Sequence, residues 1–165
     1  MSVLYLHGYG GSPNQEKLRI LSKNFSNVIA PQVDYDDEQF LTVIDNALAG
    51  EHISYVVGNS LGGVVAHYYA RKLGKPCLLL NPAFCSSRAD ELELPKLSVT
   101  YNAPTYVVLG GADELLPPEE NIVATWALAD GNPLFIRVRH SLPHSVPADV
   151  FANEVDNFKT LIHLR

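Results

Sequence analysis

The segment Gly58-Asn59-Ser60-Leu61-Gly62 lies between an apolar run at residues 53–57 and a helix-period stretch at 61–73. A serine hydroxyl is a weak nucleophile until a base removes its proton. Glycines two residues before and after a serine allow a sharp strand-to-helix turn that lifts the hydroxyl above a sheet edge. Gly63 extends the close approach of helix to strand. The spacing assigns Ser60 as a nucleophile for acyl transfer, held in a nucleophile elbow. Such a serine needs a base and an acid that orients the base, and in chains of this design they follow in the order Ser, Asp or Glu, His. Residues 105–109 read as a strand and lead into "GGADELLPPEE", which offers Asp113 as the acid and Glu114 as the runner-up. The stretch "RHSLPHSVP" offers two histidines. His144 is favoured as the base because it stands just ahead of the last helix, where a loop can carry it over Ser60. His140 is the alternative.

A second feature is the loop His7-Gly8-Tyr9-Gly10-Gly11-Ser12-Pro13, which follows an apolar run at residues 3–6. A dinucleotide fold would want G-x-G-x-x-G here, with a phosphate on the helix N-terminus. Pro13 occupies the place of the third glycine, and it brings a ring and lacks an N–H. The helix is expected to start at Ser12 or Pro13, with Gln15 in a capping box, which is too far along for a phosphate held by Gly8. The loop is therefore read as one side of an oxyanion hole, formed by the backbone N–H groups of Tyr9 and Leu61. No cofactor is expected. No metal is expected either, because Pro143 and the loop context break the helical geometry that would align His140 and His144. His52, His67 and His163 fall within or beside helices and read as surface or core fillers.

These residues need a scaffold. Strands are expected at residues 3–6, 28–30, 53–57, 77–80, 105–109 and 134–138, most of them apolar without alternation, as in a parallel sheet covered on both faces. Helices alternate with them. One has an apolar stripe of Phe40, Leu41, Ile44, Ala47 and Leu48 and stops at Gly50. Another ends at Gly74, and a third follows Pro117-Pro118-Glu119-Glu120. The last follows Pro147 and should bury Val150, Phe151, Val155, Phe158 and Ile162. The fold class is α/β: one domain over residues 1–165, with a mostly parallel sheet of about six strands and helices on both faces. Residues 83–103 form a possible small cap.

The 165 residues carry a net charge of −6, which argues against a nucleic-acid partner. No apolar run is long enough to span a bilayer. The chain starts almost at once in a strand, with no basic segment and apolar stretch of a leader before it, and a cytoplasmic location is expected. Cys77 and Cys85 have no metal spacing and read as free thiols.

The motifs "LYLHGYGGSP", "VVGNSLGG", "LLLNPAF", "VVLGGADELLP" and "PHSV" resemble, in order, those of the YqiA-type esterases, small α/β-hydrolases of bacterial cytoplasm. The similarity runs from residue 3 to residue 162. It implies a compact hydrolase with a minimal cap, Ser60 as nucleophile, Asp113 as acid, His144 as base, and His7-Gly8 leading into the oxyanion loop. The family usually has G-G-x-H before its catalytic histidine, where this chain has Ser141-Leu142-Pro143-His144. The expected activity is hydrolysis of small-molecule carboxylic esters or thioesters through an acyl-serine. The rival is a non-catalytic binding module on the same fold, which should have lost a member of the triad. Oligomeric state is not legible.

Overall fold

The computed structural model describes residues 1–128 and 132–163, and of His163 the backbone only. Six strands, β1 (Ser2–Leu6), β2 (Asn27–Ile29), β3 (Ile53–Asn59), β4 (Cys77–Leu80), β5 (Thr105–Gly110) and β6 (Leu134–Arg139), form one sheet in the order β2-β1-β3-β4-β5-β6. Every neighbouring pair is parallel. Parallel neighbours require crossovers, and these are the helices α1 (Gln15–Asn24), α2 (Phe40–Leu48), α3 (Leu61–Leu73), α4 (Ser87–Glu91) and α5 (Pro118–Trp126), with α6 (Ala148–His163) after the last strand.

Alternation along the strands divides the core in two. Leu4, Leu6, Val56, Leu79, Val107 and Leu109 point to one face, where α2 and α3 cover them through Phe40, Ile44, Val65 and Tyr69. Val3, Tyr5, Val57, Leu78, Val108 and Tyr106 point to the other, under Leu21 and Phe25 of α1 and Phe151, Val155 and Phe158 of α6. Both faces being covered explains why the central strands read as unbroken apolar runs. Val150 and Ile162 of α6, expected to be buried, only flank this second core and are partly buried.

The start of α1 corrects the sequence expectation. Asn14, not Ser12, is the cap: its Oδ1 accepts from the backbone N–H groups of Glu16 at 3.0 Å and Lys17 at 3.1 Å. Gln15 is then the first helical residue and closes no capping box with Ser12. One asparagine oxygen satisfying two orphan amides outcompetes the serine two residues earlier. At the other helix ends, α3 stops at Gly74 in the left-handed conformation, and Gly50 follows α2 with φ of 79°.

Residues 83–103 contain α4 and a stretch without regular secondary structure. Phe84, Leu92 and Leu94 pack from it onto the α3 face, and Tyr101 is fully buried there, donating from its hydroxyl to the Lys75 carbonyl at 3.0 Å. The two thiols are free. Among the described residues no helix is long and apolar enough to cross a membrane.

His67 of α3 is a core histidine, edge-on to Phe84 and Tyr101, whereas His52 is exposed. Burial, with a smaller push from Arg71, lowers the His67 imidazole to about 4. A folded-state value below the unfolded 6.5 means that acid favours the unfolded chain. The stability His67 lends in its neutral form is complete above pH 6.5 and is lost as pH falls toward 4. The full loss is roughly 3 kcal/mol. Urea unfolding of the protein and of His67→Leu across pH 7 to 4 should therefore show a shallower pH dependence in the variant. Parallel curves would contradict this account.

Candidate active site

In this strand order β1 is flanked by β2 and β3, so the chain leaves β1 on one side and returns on the other. The crevice above the carboxyl ends of β1 and β3 is the topological switch point where α/β folds gather their sites. Ser60 sits there, between β3 and α3, with φ of 52° and ψ of −126°, a strained setting for a residue with a side chain. Its N–H donates to the Leu80 carbonyl, and its carbonyl accepts from Gly63 and Ala83. The turn is feasible because a Cβ on Gly58 would lie 2.4 Å from the Ala66 Cβ, and one on Gly62 would lie 2.1 Å from the His7 carbonyl oxygen.

The His7 loop packs directly on this turn. The His7 ring is buried and serves as a spacer: Nε2 accepts from the Val33 N–H at 3.0 Å, which leaves Nδ1–H to donate to the Gly8 carbonyl at 2.8 Å. Tyr35 donates from its hydroxyl to the His7 carbonyl at 2.7 Å. The Gly8 carbonyl also accepts from Gly11 N–H, and this closes the loop that presents Tyr9 to the crevice. Leu61, which follows Ser60 directly as the first residue of α3, is buried.

Asp113 follows β5, is buried, and uses Oδ1 to accept from the N–H groups of Leu115 and Leu116, both at 2.9 Å. Those bonds fix the carboxylate while leaving it facing His144. The His144 Nδ1 lies 2.9 Å from Asp113 Oδ2, and its Nε2 lies 3.0 Å from Ser60 Oγ. Residues 60, 113 and 144 thus meet in one hydrogen-bonded line. Glu114 does not join it: its exposed carboxylate accepts from the backbone N–H of His144 at 3.2 Å. His140 stays out as well, its backbone packed against Gly111.

Asn81 enters the sequence analysis only within the motif "LLLNPAF". The side chain is buried, the backbone has φ of 43°, and three bonds radiate from it. Nδ2 donates to the carbonyls of Pro143 at 2.9 Å and His144 at 3.0 Å, while Oδ1 accepts from Gly110 N–H at 2.7 Å. Asn81 therefore pins the strand that leads to Asp113 to the loop that carries His144. An asparagine ahead of a proline at a strand end was the available signal.

Ser60, His144, Tyr9 and Leu61 line a cleft of about 420 Å³, together with Leu115, Leu116, Lys17 and Arg88. A model of the family described as "Uncharacterised protein family (UPF0227)" matches residues 2–109, well over half of the chain. The chain belongs to that family. UPF0227 is the YqiA-like esterase family whose motifs the sequence resembles. The match ends at the close of β5, so Asp113 and His144 lie beyond the matched residues. No curated protein matches the chain. Among solved structures, the esterase Pf2001 of Pyrococcus furiosus is 17% identical with a TM-score of 0.69, covering 98% of this chain and 81% of its own. Est1E of Butyrivibrio proteoclasticus is 18% identical with a TM-score of 0.66, covering 99% and 88%. A carboxylesterase of Bacillus cereus is 13% identical with a TM-score of 0.65, covering 96% and 87%. At these identities the likeness is one of fold, and the fold is that of an α/β-hydrolase.

In this UPF0227 chain the mouth of the cleft is bridged from α4. The Arg88 guanidinium lies 4.4 Å from the centre of the Tyr9 ring and pairs with Asp36 and Glu91, while the Tyr9 hydroxyl donates to Asp36 at 2.7 Å. The hydrogen bonds from Tyr9 and Arg88 hold the Asp36 carboxyl below its usual range. Tyr9 is thereby held at the cleft by its side chain, with its backbone turned by the glycines around it.

Proposed function

We propose that the protein is a serine hydrolase that cleaves small carboxylic esters or thioesters through an acyl-Ser60 intermediate. The observation that carries this reading is the unbroken line from Asp113 through His144 to Ser60 Oγ, at 2.9 and 3.0 Å. In the first half-reaction Ser60 Oγ attacks the carbonyl carbon as its proton passes to His144 Nε2. Asp113 keeps the Nδ1–H tautomer and stabilises the imidazolium. The carbonyl oxygen gains the negative charge and is held by the backbone N–H groups of Leu61 and Tyr9, donors typically worth about 3 kcal/mol of barrier each. The alcohol or thiol leaves with the proton from His144. Water then attacks the acyl-enzyme with His144 as base, releasing the acid and restoring Ser60. Residues 83–103 act as a small cap on one flank of the cleft, to which they contribute Ala83, Ser86 and Arg88.

A fluorophosphonate probe tests this directly, because it phosphonylates an activated serine and stays there. Intact mass spectrometry should find one probe on the protein, peptide mapping should locate it on Ser60, and Ser60→Ala should gain nothing. An unlabelled wild type, or equal labelling of the alanine variant, rejects the proposal.

A further inference from the structure

The cleft differs in charge from the protein around it. The chain carries a net charge of −6, yet among the described residues the cleft lining includes Lys17 and Arg88 and no aspartate or glutamate, the Asp113 carboxylate being engaged behind His144. Arg88 is already committed, paired with Asp36 and Glu91 and stacked on Tyr9. Lys17 is different. Its half-buried ammonium lies 5.4 Å from the centre of the Phe151 ring, and among the described residues it has no carboxylate partner. A cation withdrawn from water onto an aromatic face keeps an unmet demand for an anion. Burial lowers the ammonium to about 8, so it remains mostly charged at neutral pH.

The surroundings favour a small monoanion. The N–H groups of Glu16 and Lys17, the helix-start donors that grip a phosphate when free, are consumed by the Asn14 side chain. What is left is a single point charge over the Phe151 ring, in a cleft that Tyr5 and Val146 also line. That suits one carboxylate on an otherwise apolar substrate.

We propose that Lys17 is a specificity-determining residue, and that the preferred substrates are esters or thioesters carrying a free carboxylate in addition to the scissile group. This rests on the serine-hydrolase reading above and names the substrate class of that same cleft.

Two matched pairs of esters test it, one with the charge on the acyl side and one with it on the alcohol side: monomethyl glutarate against methyl pentanoate, and 4-acetoxybenzoate against 4-methylphenyl acetate. In at least one pair kcat/KM should favour the carboxylate at least tenfold. Lys17→Met should bring that ratio close to one, and Lys17→Arg should keep most of it. A ratio is read within one preparation, so partial misfolding of a variant does not imitate the effect. Turnover of all four esters with no preference, or a preference that survives in Lys17→Met, overturns the subsite and leaves the hydrolase reading standing. Failure of Ser60 to label overturns both. Glutarate should also compete with methyl pentanoate more strongly than inorganic phosphate does, and the reverse order overturns the assignment to a carboxylate.

Discussion

Replacing His144 by alanine should lower kcat/KM for a simple ester by about 10⁴- to 10⁶-fold, the scale on which serine hydrolases lose activity without their base. His140→Ala should leave it within about twofold, as substitutions away from a site usually do. The contrast is sharp because the two histidines share one short loop and differ almost wholly in where their rings lie. His144 reaches Ser60 Oγ with Nε2 and Asp113 with Nδ1, while His140 presents its backbone to Gly111 and does not line the cleft. Asp113→Asn belongs to the same experiment. The asparagine keeps the shape but offers an NH₂ where Nδ1–H needs an acceptor, which favours the wrong tautomer and should cost about 10⁴-fold. Initial rates on purified proteins, with circular dichroism as a check of folding, decide the matter. Loss of activity in the His140 variant, with the His144 variant active, would reassign the base.

Gly62→Ala should be the most damaging of the glycine-to-alanine changes, since an added Cβ meets its nearest neighbour closer there than at any other described glycine. Its Cβ would stand 2.1 Å from the His7 carbonyl oxygen and 2.6 Å from that of Leu6, both backbone atoms at the end of a central strand. No rotamer change relieves a clash between two backbones, so either α3 or β1 must move. We expect poor soluble yield or a fall in unfolding free energy of more than about 4 kcal/mol, in the range reserved for severe packing faults. Gly10→Ala is the control. It has open space around the added carbon but φ of 64°, and such backbone strain costs about 1–2 kcal/mol. Urea denaturation of both variants separates the two mechanisms. Equal losses would mean that the close approach of α3 to β1 is softer than the distances imply.

Much of this could be read from the sequence because it is encoded locally. Most of the strands are short, largely apolar runs, the turn at Ser60 is written in glycines where a Cβ has no room, and α3 ends at a glycine with φ of 64°. The start of α1 was less legible, since Ser12-Pro13-Asn14-Gln15 contains two competing caps and only the satisfied amides of Glu16 and Lys17 choose between them. The choice of Asp113 over Glu114 depends on the N–H groups of Leu115 and Leu116, which hold the former's oxygen and turn it toward a residue thirty-one positions away. The meeting of Ser60 with His144 spans eighty-four positions, and no local pattern carries it. Asn81 escaped notice as a brace for the same reason, its partners lying sixty-two and sixty-three residues on.

The brace has an evolutionary consequence. Asn81 grips the His144 loop by the carbonyls of Pro143 and His144, which every amino acid possesses, and asks nothing of the side chains at 141 and 143. Leu142 is tied to the core, but its neighbours are not. A chain with Ser141 and Leu142 where the resemblance implies glycines can therefore keep its histidine in register, because the grip falls on the two carbonyls that follow. What selection must guard in this loop is its length and course, together with Leu142 and His144, while the side chain at 141 is free to drift.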